Sequence, residues 1–230
     1  MSSTKPAPWR PEAIREPRKT MPYIPKKDRP AFEEGIDSLR LEINQTSSGG
    51  REPLLGRLGY VYLEVNKRAM PALRYWTLAE GSGIMENVPA EMERRLKIRP
   101  LPYEGDPVIP EATLDPLIDA LVAVVKKISQ KYDQAAQPPG SYPAAYAGLI
   151  NFSLTTLALR IVLDKSQKGG LDLELLRQIP ALFHRVANEF YLRLAGPYED
   201  LQIAKSENGD LPEYEEVQRR AQKDAREAKR

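Results

Sequence analysis

Residues 114–132, LDPLIDALVAVVKKISQKY, and residues 144–163, AAYAGLINFSLTTLALRIVL, decide the fold. In the first, Leu114, Ile118, Leu121, Val125 and Ile128 recur at three- and four-residue steps, the period of one buried helical face. The second is apolar nearly all round, which marks a helix surrounded by others. It is long enough for a bilayer, but Asn151, Ser153, Thr155, Thr156 and Arg160 are costly groups in lipid, so a buried central helix is expected and no membrane span.

Working outward, the same period runs through Phe32, Ile36, Leu39 and Ile43, with Asp28 as the expected N-cap and Pro30 in the first turn. A second helix is expected over Leu54–Ala69 and a short third over Pro71–Ala79. After a break at Gly81-Ser82-Gly83, Pro89 opens a helix to Ile98. Thr113 is the expected cap of Leu114–Tyr132, and a further helix runs over Pro143–Leu163. Helical sequence returns over Leu171–Ala195, interrupted before Pro180. Few runs combine alternation with β-branched residues, so strands are not needed anywhere. The expected class is all-α, a helical bundle.

The order of features repeats. Ile36-Asp37-Ser38-Leu39 parallels Ile118-Asp119-Ala120-Leu121, and Gly56-Arg57-Leu58-Gly59-Tyr60 parallels Gly148-Leu149-Ile150-Asn151-Phe152. Val88-Pro89-Ala90 parallels Ile179-Pro180-Ala181, and Pro102-Tyr103-Glu104 parallels Pro197-Tyr198-Glu199. These matches point to two diverged copies of one helical unit. The expected division is an extended, proline-rich basic arm (1–28), unit one (29–106), unit two (107–206) and a charged helical tail (207–230). A single module with a long insertion is the alternative.

Composition removes much chemistry. The 230 residues include no cysteine and one histidine, His184. Disulfide scaffolds, cysteine nucleophiles and thiolate-ligated metals are excluded, as is a two-histidine metal site within one chain. The net charge of +2 is too balanced for a nucleic-acid coat. No P-loop or Gly-x-Gly-x-x-Gly is present. The absence of cysteine and of a leader-like segment makes the cytoplasm the expected compartment.

Several segments resemble a family of short proteins from bacteria, archaea and phages that has no assigned activity. Its members open with Met-Pro-Tyr-Ile, carry a Gly-x-Leu-Asn-Tyr-x-x-Thr helix, and close with Ala-Pro-Tyr-Glu-Asp and Glu-Asn-Gly-Asp. This chain has Met21-Pro22-Tyr23-Ile24, then Gly148-Leu149-Ile150-Asn151-Phe152-Ser153-Leu154-Thr155, then Pro197-Tyr198-Glu199-Asp200 and Glu207-Asn208-Gly209-Asp210. Gly196 stands at the family's alanine. In the first half, Gly59 replaces the motif asparagine and Leu63 its threonine, so the resemblance implies that the second unit keeps the full polar set.

Candidate residues follow from chemistry. Asn151 and Thr155 lie four apart on one face of the apolar helix, where polar groups need partners, and Arg160 follows on the same helix. With Tyr198, Glu199 and Asp200 they are the expected lining of a ligand site. Trp9, Arg10 and Arg15 in the arm suit docking on a partner. The leading expectation is a non-enzymatic binding or assembly protein without catalytic residues, metal or cofactor, whose partner is another protein or itself. The alternatives are a Mg²⁺-dependent phosphoester hydrolase using Glu199, Asp200 and Glu207, and nucleic-acid binding through the basic ends. For the acids, helix-end and turn roles compete with metal binding, because Pro197 and Asn208-Gly209 begin turns there.

Overall fold

A computed structural model of the chain describes residues 24–69, 78–135, 143–166, 170–205, 216–217 and 219–220. Within them every regular element is helical: α1 (Pro30–Thr46), α2 (Arg51–Ala69), α3 (Leu78–Leu96), α4 (Asp115–Ala135), α5 (Pro143–Lys165), α6 (Leu173–Phe190) and α7 (Gly196–Lys205). Short 3₁₀ turns at Lys26–Asp28 and Ala112–Leu114 lead into α1 and α4, and a π turn at Tyr191–Ala195 joins α6 to α7. The protein is an all-α helical bundle.

The periodicity found in the sequence does its expected packing. Phe32, Ile36, Leu39 and Ile43 are fully buried from α1, as are Leu114, Ile118, Leu121 and Val125 along the 3₁₀ turn and α4. α1 ends where the Ser47 N–H bonds back to the Ile43 carbonyl, and Gly50 at φ +112° supplies the left-handed turn into α2. One core runs through both halves of the chain. Tyr62 stacks on Phe183 with ring centroids 4.0 Å apart, and its hydroxyl donates to the Met85 carbonyl.

Contacts made by the first three helices have counterparts among the next three. α1 packs on α5 as α4 packs on α2; α1 crosses α4, and α3 lies along α6. Side chains repeat the pattern. Arg68 of α2 bonds Asp115 and Asp119 of α4, while Arg160 of α5 bonds Glu33 and Asp37 of α1. The spacing that separates Glu33 from Asp115 also separates Asp37 from Asp119. His184 and Glu93, which hold matching places on α6 and α3, meet each other at 2.9 Å.

Several local expectations are corrected. Asp28 does not cap α1: it sits inside the 3₁₀ turn, 5% exposed, accepting from Tyr132 and from Lys131 at 3.2 Å. Thr113 lies within the second 3₁₀ turn, and no side chain caps that turn. Gly81-Ser82-Gly83 does not break the chain and Pro89 does not start a helix, because α3 runs through both. α6 likewise continues through Pro180. Pro89 and Pro180 are both buried, and the apolar faces of α3 and α6 bury against one another, which outweighs one lost backbone hydrogen bond in each helix. Pro102-Tyr103-Glu104 and Pro197-Tyr198-Glu199 differ in conformation, the first extended and the second in α7. The third helix expected over Pro71–Ala79 falls almost wholly outside the described residues.

Candidate functional site

A cleft of about 430 Å³ opens between α3 and α5. Its floor is one face of α5, Gly148, Asn151, Phe152, Thr155, Thr156 and Leu159; α3 supplies Glu91, Met92, Arg95 and Leu96, and the chain entering α1 supplies Ile24 and Arg29. The spacing along α5 follows from the helical repeat, which brings every third and fourth residue to one side. Gly148 keeps the floor low at one end.

The polar groups are held in place. Thr155 donates its hydroxyl to the Asn151 side-chain oxygen at 2.9 Å. The Arg29 guanidinium stacks over Phe152, 5.6 Å from the ring centre, and its Nε donates to the Ile24 carbonyl at 3.4 Å. On α3, Glu91 accepts from Arg94 at 2.6 Å and lies 3.7 Å from Arg95. The result is a mixed floor, Phe152 and Leu159 with the Asn151–Thr155 pair and Thr156, under a charged rim, a lining that suits hydrogen-bonding groups carried on an apolar body.

The matching face of α2 is covered. The extended segment after α3 crosses α6 and α2, tied down by Arg185, which donates to the Tyr103 and Gly105 carbonyls at 2.6 and 2.8 Å, and by Arg177, which donates to the Arg99 carbonyl at 2.7 Å. Its Ile109 N–H donates to the Gly56 carbonyl at 2.9 Å. A Cβ on Gly59 would lie 1.9 Å from the Pro107 carbonyl oxygen, so the backbone approaches α2 as closely as only glycine permits.

Of the residues expected to bind a ligand, Asn151 and Thr155 meet in the cleft. Arg160 points instead to Glu33 and Asp37, and that pairing, led by the Glu33 hydrogen bond, raises its already high pKa further. Tyr198 and Asp200 are exposed on α7 and do not line the cleft; the Glu199 side chain lies outside the described residues. So do Trp9, Arg10, Arg15, Glu207 and Asp210. Among the described residues no cluster of three acidic or histidine side chains is arranged to hold a metal. His184 pairs with Glu93 and Arg193 pairs with Glu189 at 2.7 Å, while Arg185 is engaged by the Tyr103 and Gly105 carbonyls. The tail pairing of Glu216 with Arg220 is present at 2.7 Å.

Arg29, Glu91, Met92 and Arg95 were not expected here. Met92 and Leu96 sit at the four-residue step of the α3 apolar stripe, but nothing in the sequence says that α3 neighbours α5.

A family model described as a domain of unknown function (DUF6899) matches residues 21–111. The match takes in the Met21-Pro22-Tyr23-Ile24 opening and the Gly56–Tyr60 and Pro102–Asp106 segments, while the motifs at 148–155 and 197–210 lie beyond it. It thus covers α1 to α3 and the extended segment, the half that departs from the polar motif. No curated protein and no solved structure matches the chain.

α5 is long and apolar enough to cross a membrane by length and composition, with 56% of its apolar window buried inside the bundle.

Proposed function

We propose that this is a non-enzymatic helical binding or assembly protein, built of two diverged copies of one three-helix unit, whose α3–α5 cleft receives a polypeptide segment. The observation that carries the reading is the inequality of two matching faces. On α2 the face is covered by a stretch of described chain, while on α5 the corresponding face is, among the described residues, a cleft with an amide and a hydroxyl on its floor. A surface of this kind that accepts polypeptide on one side is suited to accept it on the other. The twin Arg68 and Arg160 clusters support the duplication, and the family match over residues 21–111 is the length of one unit. The reading asks for no metal or cofactor and places the protein in the cytoplasm.

The test is to pan phage-displayed peptides against the full chain, with Asn151→Leu as the counter-target. Peptides that bind the natural chain at least tenfold more tightly than Asn151→Leu are the expected result. Equal binding, together with a raised melting temperature in Asn151→Leu, would make the Asn151–Thr155 pair a purely structural network and end the reading. Calorimetric titration with Mg²⁺ and Mn²⁺, followed by a nucleotide-hydrolysis assay, addresses the rival hydrolase: metal binding and turnover that both disappear in Asp200→Asn would replace a binding protein with an enzyme.

A further inference from the structure

Two short segments of the chain read alike where they lead into corresponding helices: Pro22-Tyr23-Ile24-Pro25 before α1, and Pro107-Val108-Ile109-Pro110 before α4. Each is followed by a 3₁₀ turn. The second is the piece of chain seated on α2, with Ile109 packed over Gly56 and Pro107 over Gly59. The register that pairs Arg68 with Arg160 pairs Gly56 with Gly148 and Gly59 with Asn151. Ile24 is 5% exposed and lines the same cleft as Gly148, which makes it the counterpart, beside α5, of Ile109 beside α2 in the order of the chain.

Chain continuity extends the correspondence. Two residues before Ile109 is Pro107, at Gly59; the same step back from Ile24 leads in sequence to Pro22, and the same step along α5 from Gly148 leads to Asn151. The fit differs in depth. At Gly59 the carbonyl of Pro107 occupies the space a Cβ would need, whereas the Asn151 side chain stands in that space and holds any occupant farther from the helix axis. A segment riding higher leaves a cleft beneath and beside it, and the Asn151–Thr155 pair then faces backbone amides that a proline-bearing, extended strand cannot pair internally.

We propose that the cleft is the seat of the chain's own N-terminal arm, with Met21-Pro22-Tyr23 running along α5 from the Thr155 end toward Gly148, as Pro107–Ile109 runs along α2 from Gly59 toward Gly56. This rests on the reading of the cleft as a polypeptide-binding site and names its resident segment. A second copy of the chain, or an outside peptide, would then have to displace the arm.

The chain contains no cysteine, so introduced pairs report without background. In the full chain, Met21→Cys with Thr155→Cys should be joined by a short bis-maleimide within one molecule, while Met21→Cys with Lys67→Cys, on the α2 side, should not. Circular dichroism of each variant against the parent verifies the fold. On the unsubstituted protein, nuclear Overhauser contacts between the Tyr23 ring and the Thr155 methyl give the same information without mutation. Failure of both the link and the contacts, or linkage only between separate molecules, overturns the arm as occupant. If peptides still select on the cleft in that case, the binding reading stands with another occupant; if the arm is linked but no peptide is selected, the binding reading fails while the arm assignment stands.

Discussion

Gly56 and Gly59 sit one turn apart on α2 yet face different neighbours, and this separates two substitutions that look equivalent. Alanine at Gly59 would drive its Cβ to 1.9 Å from a backbone oxygen, that of Pro107. Alanine at Gly56 would meet Cδ1 and Cγ1 of Ile109 at 2.4 Å and its Cβ at 3.0 Å, a side chain that must turn and shift but presents no backbone atom to the new methyl. Gly59→Ala should therefore cost about 1–3 kcal/mol, the range for overpacking, and Gly56→Ala clearly less, read as shifts of the urea midpoint at constant slope. Equal costs would mean that the extended segment does not hold its place on α2. Asp28 carries a second prediction. The Tyr132 hydroxyl first, then Lys131, hold its carboxyl below the ordinary value of 3.8, and Tyr60 with Arg68 does the same for Asp115. A depressed folded pKa gives stability that is present above the unfolded value and is lost as pH falls through the folded one. Stability should therefore decline on acidification below about pH 4, and Asp28→Asn should flatten part of that decline. Asp28→Ala, which removes the buried carboxylate that accepts from Tyr132 and Lys131, should cost about 1–3 kcal/mol at neutral pH by chemical denaturation. Tyr60 acts at the other end: burial first, then Asp115, pushes its phenol up to about 12, so its contribution is complete below pH 10 and lost as pH rises through 12.

At the level of elements, α1, α2, α4 and α5 were legible because their apolar positions keep a helical period and their ends coincide with glycine, proline or polar runs. α3 and α6 were legible only in part. Gly81, Gly83, Pro89 and Pro180 are local breakers, and a local reading ends helices at them; the long mutual contact of α3 and α6 overrides that preference, and such contact is invisible before the helices are placed. The same limit applied to the cleft. Asn151 and Thr155 could be found from their spacing on one apolar helix, whereas the arginines and the methionine opposite them come from elements whose neighbours the sequence does not announce. Tyr198 failed as a wall of the site for a related reason: Pro197-Tyr198-Glu199 matches an extended segment in sequence but is drawn into α7 after the π turn. The two arginine clusters join elements in matched ways, and their energies should match too. Arg68 and Arg160 are 25% and 26% exposed, so solvent screens both. Double-mutant cycles on Arg68 with Asp119 and on Arg160 with Asp37 should each give about 0.2–1 kcal/mol. A coupling several times larger on one side would show that the two junctions are not equivalent.

Across the whole molecule, the first half is held together chiefly by the second. α3 lies on α6 and α5, both from the second half, while α2 lies on α4 and α6; within the first half the direct helix packing is chiefly α1 on α2. The apolar faces of α3, with Met85, Val88 and Met92 fully or almost fully buried, would therefore meet water in a first half cut free. Residues 21–111 are the length matched by a family model, and a unit of that length folding by itself would have to bury those faces in some other way. The geometry offers one: a second copy, placed where α4 to α6 stand here, would present α3 to α3 as α3 now meets α6, and α1 to α1 as α1 now meets α4. Such an arrangement is a two-fold dimer, with each surface contacting its own equivalent. A fragment of residues 1–111 should accordingly melt with a midpoint that rises with protein concentration, and should sediment as a dimer wherever it is folded. Addition of the fragment 112–230 should replace that dimer with the one-to-one complex and raise the midpoint, because α6 carries Phe183, which stacks on Tyr62, and His184, which pairs with Glu93. A fragment 1–111 that melts cooperatively as a monomer, with no dependence on concentration, would show that the first unit has a core of its own, and the account of the chain as two mutually dependent copies would fall.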